Sequence, residues 1–146
     1  MIEIAPYIPS HAALIELQPA QHLAADLISP DYARRLAAEG PAVTVMVDRQ
    51  PRGCLGLAWQ WPGRGIVWAL LAADIGPQGL TALSLRAARW LDRHDWARIE
   101  AYIDPNHANG HRWARLFGFT HEGRLRRYAP DGRDIDLYAI VRGGPD

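Results

Sequence analysis

The chain has 146 residues, a length that fits one domain with one core. Apolar residues make up 49% and charged residues 22%, and 16 cationic residues offset 16 acidic ones. Zero net charge excludes the basic excess of a nucleic-acid or membrane-surface protein. All the cations are arginine. In a chain also rich in Ala, Gly and Pro this reflects a GC-rich genome, so arginine clusters carry less weight here as anion sites. Cys54 is the single cysteine, so no internal disulfide can form and nothing ties the chain to an oxidising compartment. Residues 1–17 have no basic start and do not read as a signal peptide. No stretch approaches the roughly 18 apolar residues of a membrane span. A cytoplasmic location is the default expectation.

Residues 2–7 alternate briefly and predict a first strand. Ser10 can cap a short helix through Leu17. Pro19 suits a first helical turn, and Ala20, Leu23, Ala24, Leu27 and Ile28 form a helical stripe. Ser29-Pro30 reads as N-cap and first residue of another helix, which Gly40 ends and Pro41 keeps from extending. The period then changes. Val43, Val45 and Val47 alternate with Thr44, Met46 and Asp48, a strand with one buried face. Residues 48–53 hold turn formers, and 54–61 read as the next strand. After the turn at 62–65, residues 66–72 (IVWALLA) are apolar enough for a central strand. An antiparallel meander follows from this order. Leu80, Leu83, Ala87 and Leu91 recur at helical spacing and predict a helix over 80–94. A strand over 98–103, a helix ending before Gly118, and strands over 119–128 and 135–141 around Pro130-Asp131-Gly132 complete the chain. The expectation is a single α/β domain, 1–146, with a mixed sheet.

The C-terminal third is more specific. Residues 98–141 read RIEAYIDPNHANGHRWARLFGFTHEGRLRRYAPDGRDIDLYAIV. The string holds an Asn-containing turn at Asn106, Leu116-Phe117-Gly118-Phe119, Glu122-Gly123 and Asp131-Gly132. It resembles the end of a GCN5-related N-acetyltransferase (GNAT), and is similar to the short GNAT-like proteins of phages and prophages. The resemblance covers most of the chain. It implies the GNAT, or acyl-CoA N-acyltransferase, fold: a mixed, mostly antiparallel sheet with splayed central parallel strands, flanked by helices. It further implies that acetyl-CoA lies between the strands at 66–72 and 98–103. Backbone atoms of Ala69, Leu70 and Leu71 and the N–H groups of Gln78, Gly79, Leu80 and Thr81 would hold it, with Asn106 as a further contact. A helix N-terminus suits the pyrophosphate because its N–H groups are unpaired and its dipole favours an anion.

The chain departs from the family at two places. The family loop reads [Gln/Arg]-x-x-Gly-x-[Gly/Ala], whereas this chain reads Asp74-Ile75-Gly76-Pro77-Gln78-Gly79. Asp74 brings a negative charge, and Pro77 has no N–H to donate. Ala114 stands where the family often has an acid Tyr, and His107, beside Asn106, where it has Asn.

Glu100 and Tyr102 share one face of a strand that should be central. They read either as a catalytic base and acid, or as a carboxylate paired with a nearby arginine and a tyrosine at the sheet's end. As a base, Glu100 is expected to have a raised pKa among apolar neighbours. His107 and His111 have a spacing that can hold a metal, but no HExxH string accompanies them, so no metal is expected. His107, at a helix start, should resist its cationic form. Trp59, Trp61 and Trp68 read as cross-strand packing, and Cys54 as a small buried residue. Arg124, Arg126, Arg127 and Arg133 read as a solvated face neutralised by Asp131, Asp134 and Asp136. Two functions are compatible with these features. One is N-acetyl transfer from acetyl-CoA to a small-molecule amine or a protein amino group, with no nucleic-acid or membrane partner. The other is a non-catalytic role in the structure or assembly of a phage or prophage particle, alongside phage structural proteins and with a virion-associated location.

Overall fold

The computed structural model describes residues 1–17 and 29–143. The helical stripe expected over 20–28 lies outside these. β1 is Ile2–Pro6 and α1 is Pro9–Leu14. The expected Ser10 cap is not used. α1 starts two residues earlier, with Ile8 at the N-cap, and the ring of His11 accepts the Ile8 N–H (3.3 Å) in place of a side-chain cap. α2 is Pro30–Ala38, with the Ser29 hydroxyl accepting the Tyr32 N–H (3.1 Å) as a helix N-cap should.

β2 is Ala42–Val47 and β3 is Gln50–Trp61. The turn between them is only Asp48-Arg49, both at positive φ (50° and 66°). β3 therefore begins four residues before the expected Cys54. Pro51 and Gly53, which read as turn formers, are absorbed by a bulge between Val45 and Met46, where a strand tolerates both. β4 is Arg64–Leu71 and α3 is Gly76–Arg93. α3 also starts four residues before the expected Leu80. Gly76 (φ +77°) turns the chain into it, and Pro77 sits in the first turn, where its missing N–H costs nothing. β5 is Arg98–Ile103, α4 is Ala108–Leu116, β6 is Thr120–Leu125 and β7 is Ile135–Val141. Gly118 (φ +86°) ends α4 as expected. β6 stops three residues short of expectation, because Arg127 takes a positive φ (53°) and gives its N–H to Asp134 (2.9 Å).

The strands order as β1-β2-β3-β4-β5-β7-β6 in one sheet. β1, β2 and β3 pair antiparallel in sequence, as do β5, β7 and β6. β4 and β5 run parallel, as expected. Their ladder joins Arg64 to Arg98, Gly65 to Ile99 and Ile66 to Glu100, and it ends there although both strands continue. No helix among the described residues is long and apolar enough to cross a membrane.

The chain forms two compact units. One comprises Met1–Ala58 with Trp68–His94, the other Trp59–Val67 with Asp95–Asp146. In the first, helices cover both faces of β2. α3 packs over one side, where Gly79 meets Val45, and α1 over the other, where His11 meets Thr44. That is why Thr44, expected on an open face, is fully buried. Tyr7, Ala12, Ile15, Leu17, Ala33, Leu36, Cys54, Leu70 and Ala72 form the core beneath α1 and α2. Burial pushes the Cys54 thiol up to about 11, so it packs as an inert apolar group. Trp68 packs edge-on against Tyr7, ring centroids 5.3 Å apart. It lies so close over Gly56 that a Cβ there would overlap its indole ring. Trp61 departs from the core-filling expectation. It is 59% exposed and lies under the Arg64 guanidinium. Gly56→Ala should lower stability by about 1–3 kcal/mol through overpacking against Trp68. Urea denaturation checks this, and an unchanged midpoint would show that the indole has room to move.

Candidate functional site

The pair singled out on β5 does come together. The Tyr102 hydroxyl donates to Glu100 Oε1 (3.1 Å). Both Glu100 oxygens are also taken by arginines, Oε1 by Arg64 (2.5 Å) and Oε2 by Arg98 Nε (2.7 Å). Arg98 turns its other nitrogens to both oxygens of Glu122 on β6 (3.1 and 2.5 Å). The Glu100 side chain is 5% exposed, while Arg64 and Arg98 keep 21% and 28% in solvent. Burial pushes the Glu100 carboxyl up, but the hydrogen bonds from Arg64, Arg98 and Tyr102 outweigh it, so its pKa is lowered. This corrects the expected raised value. Neighbours along a strand are visible in sequence; the arginine reaching across from β4 is not. Tyr102 is pushed up to about 12, first by burial and then by its bond to Glu100.

The second set of residues lies on β4 and α3. Leu70 is buried in the core, and Ala69 and Leu71 are half-buried beyond the end of the parallel ladder. Because α3 begins at Gly76, the N–H groups without an acceptor one turn back belong to Gly76 and Gln78, Pro77 having none. The N–H groups of Gly79, Leu80 and Thr81 fall inside the helical ladder, a correction that follows from the early helix start. The Thr81 hydroxyl donates to the Pro77 carbonyl (2.8 Å). Gly79 is explained by packing, since a Cβ would crowd Ile75 (2.8 Å). A Cβ at Gly76 would meet nothing within 4 Å, so space is open there for a ligand. Asp74 is not a bare negative charge. Arg52, in the strand segment misread as turn, reaches it at 3.3 Å.

The third set surrounds α4. Asn106 is exposed just before it, its N–H held by Asp104 Oδ1 (2.8 Å). Burial, then the neighbouring His111, lowers the His107 pKa against the pull of Asp104, in the expected direction. His111 Nε2 faces the carbonyls of Asp104 (3.0 Å) and Pro105 (3.1 Å) and must carry the ring proton. Its Nδ1 then accepts the hydroxyl of the buried Tyr138 (2.6 Å). Both nitrogens of His111 are thus engaged within the protein. Asp136 is the one hairpin carboxylate that is buried. Arg124 (3.1 Å) holds its pKa down against burial, with His121 (3.2 Å) helping. Tyr138 was missed as the partner of His111 because it lies 27 residues further along the chain. Ala114 is fully buried and offers no proton.

No protein-family model and no curated protein matches the sequence. Solved structures do match in fold. One is Ard1 from Thermoplasma volcanium, with a TM-score of 0.78 and 11% identity over 98% of this chain and 99% of that one. Another is the ribosomal-protein-S18-alanine N-acetyltransferase from Escherichia coli, at 0.74 and 15% over 100% and 97%. A GNAT-family acetyltransferase from Streptococcus pneumoniae gives 0.71 and 15% over 98% and 100%. At these identities the likeness establishes the fold, and the chain has the GNAT fold.

Glu100→Gln removes a buried charge that three donors satisfy. It should cost about 2–3 kcal/mol, below the full penalty for a broken buried pair because both arginines stay partly hydrated. The sign with pH follows from the lowered folded pKa. The contribution is complete above the unfolded value of about 4.3 and is lost as the pH falls through the folded one. Thermal melts of both proteins from neutral pH down to about 3 should therefore converge at the acid end. A constant gap would show that Glu100 contributes by shape rather than by charge.

Proposed function

We propose that the chain is an acetyl-CoA-dependent N-acetyltransferase acting on a small-molecule amine or a protein amino group. The observation that supports this best is the parallel ladder between β4 and β5. It ends after its third rung, at Ile66 and Glu100, and β4 then leads into a helix opened by a glycine with free space beside it. In this reading the N–H groups of Gly76 and Gln78 hold the pyrophosphate. The backbone of Ala69, Leu70 and Leu71 aligns the pantetheine arm, and Gly79, Leu80 and Thr81 support the helix rather than donate. Two donors are fewer than the family loop offers, and Arg52 offsets the charge of Asp74 beside them. The residues present therefore fit the group, with weaker binding than an intact loop.

Acetyl-CoA supplies the acetyl group as a thioester. The amine must lose a proton and the thiol must depart. Glu100 has both oxygens occupied and a lowered pKa, so we assign it to holding the strands and the amine's proton to solvent. A thiolate is a weaker base than an alkoxide and so leaves the thioester readily. A phenol at about 12 is a weaker acid than the thiol it would serve, so Tyr102 has no advantage as a proton donor. The acceptor named for the Escherichia coli neighbour is a protein alanine. That places N-terminal peptides beside small amines in the assay.

Calorimetric titration with acetyl-CoA followed by transfer assays over that panel tests the reading. Asp74→Arg should tighten binding about fivefold, a gain of about 1 kcal/mol at an exposed loop. Weaker or unchanged affinity in a folded variant would show that Asp74 is needed to place Arg52, or that the anion sits elsewhere. No binding and no transfer by the parent protein would favour the non-catalytic alternative.

A further inference from the structure

We propose that His11 is a proton-sensitive latch that docks α1 onto β2 while its ring is neutral and releases the helix in acid. The ring is 9% exposed, on the third residue of α1. Its Nδ1 meets two groups, the backbone N–H of Ile8 (3.3 Å) and the hydroxyl of Thr44 (2.7 Å). The Ile8 N–H can only donate, so Nδ1 presents its lone pair and the ring proton is on Nε2. Thr44, fully buried on β2, then donates to Nδ1 through its hydroxyl. The Cys54 thiol on β3, also fully buried, can in turn donate to Thr44 Oγ1 (3.4 Å). One lone pair thus terminates a chain of donors that begins on β3, crosses β2 and ends on the first turn of α1.

A second proton can enter the ring only at Nδ1, the atom that carries the latch. Thr44 can rotate its hydroxyl and accept. Ile8 cannot reverse, so its N–H would face another donor and would have to exchange its protein acceptor for solvent. Among the described residues, the groups packed around the ring give the new charge no counter-ion. Tyr7, whose ring centroid is 6.4 Å away, donates its hydroxyl to the Ala33 carbonyl and is pushed up to about 12 by burial. Cys54, at about 11, stays a thiol, and Thr44 does not titrate. Tyr32 on α2 is also raised by burial. Burial lowers the pKa of His11, and no carboxylate among the described residues opposes it. The sign follows. Docking of α1 is complete above the unfolded histidine value of about 6.5 and weakens as the pH falls through the lower folded value.

Hydrogen exchange of the full chain at pH values from 7.5 down to 5, corrected for intrinsic exchange rates, tests this. Amides of α1 should lose protection by up to tenfold per pH unit from about 6.5 down to the folded pKa and level off below it, while those of β5 and β7 hold. His11→Gln, whose amide oxygen can accept the same donors without titrating, should remove that pH dependence. Unchanged protection of α1 down to pH 5 would overturn the proposal. So would the same loss in His11→Gln, or a loss shared equally by β5 and β7. If His11→Gln does not fold, the ring nitrogens of the parent protein decide by their NMR shifts. Neutral His11 protonated on Nε2 supports the latch, and a proton on Nδ1 refutes it.

Discussion

A carboxylate on a central strand must be compensated, and the arrangement around Glu100 shows how that need shapes the structure. Glu100 is the last β5 residue on the parallel ladder, opposite Ile66. Beyond it, main-chain hydrogen bonds no longer hold β4 to β5. Arg64 reaches Glu100 from β4, and Arg98 links it onward to Glu122 on β6. Side-chain bonds therefore reinforce the ladder at its final rung. Placing the charge on half-hydrated arginines limits the desolvation penalty that would otherwise make such a network costly. A hydrophobic residue at 100 would pack as well, but it would not tie three strands together at one point.

Element types were legible from sequence, and boundaries failed where backbone geometry overrode residue character. The stripe Leu83, Ala87, Leu91 marks α3, but not that Gly76 and Pro77 already belong to its first turn. Pro51 and Gly53 carry the chemistry of a turn, yet a bulge lets the strand run through both. The alternation at 43–48 marks β2 as a strand with one buried face. The second buried face came from α1, whose only polar handle toward it is a single histidine. Period-2 reasoning sees one layer at a time, and a sheet covered on both sides defeats it.

The site divided along the same line. Residues close in sequence were brought together as expected: Glu100 with Tyr102, and Asp74 with the glycines after it. Their partners in space were not visible. Arg64 lies 36 positions before Glu100, Tyr138 lies 27 after His111, and Arg52 meets Asp74 from another strand. Those partners decide the chemistry, because they make Glu100 the arginine-paired carboxylate of its second reading and turn an apparent repulsion into an ion pair. Strand spacing specifies which side chains share a face; it does not specify what the neighbouring strand offers them.

The two compact units solve the burial of polar groups in opposite ways, and the difference bears on how each responds to its surroundings. Around Glu100 full charges are kept and matched, so the network resists mild acid and loses strength only where carboxylates titrate. Around His11 the buried groups among the described residues are uncharged. Tyrosine, threonine, thiol and imidazole are all neutral, and their order depends on one lone pair. A matched ionic network tolerates a change in any one partner's hydration because its arginines reach solvent. A neutral chain of donors has no such reserve, since each group has one orientation that satisfies its neighbour and one proton in the wrong place reverses it. Firmness near Glu100 and responsiveness near His11 therefore have the same origin: whether the buried group at the centre is paired with charge or merely hydrogen-bonded.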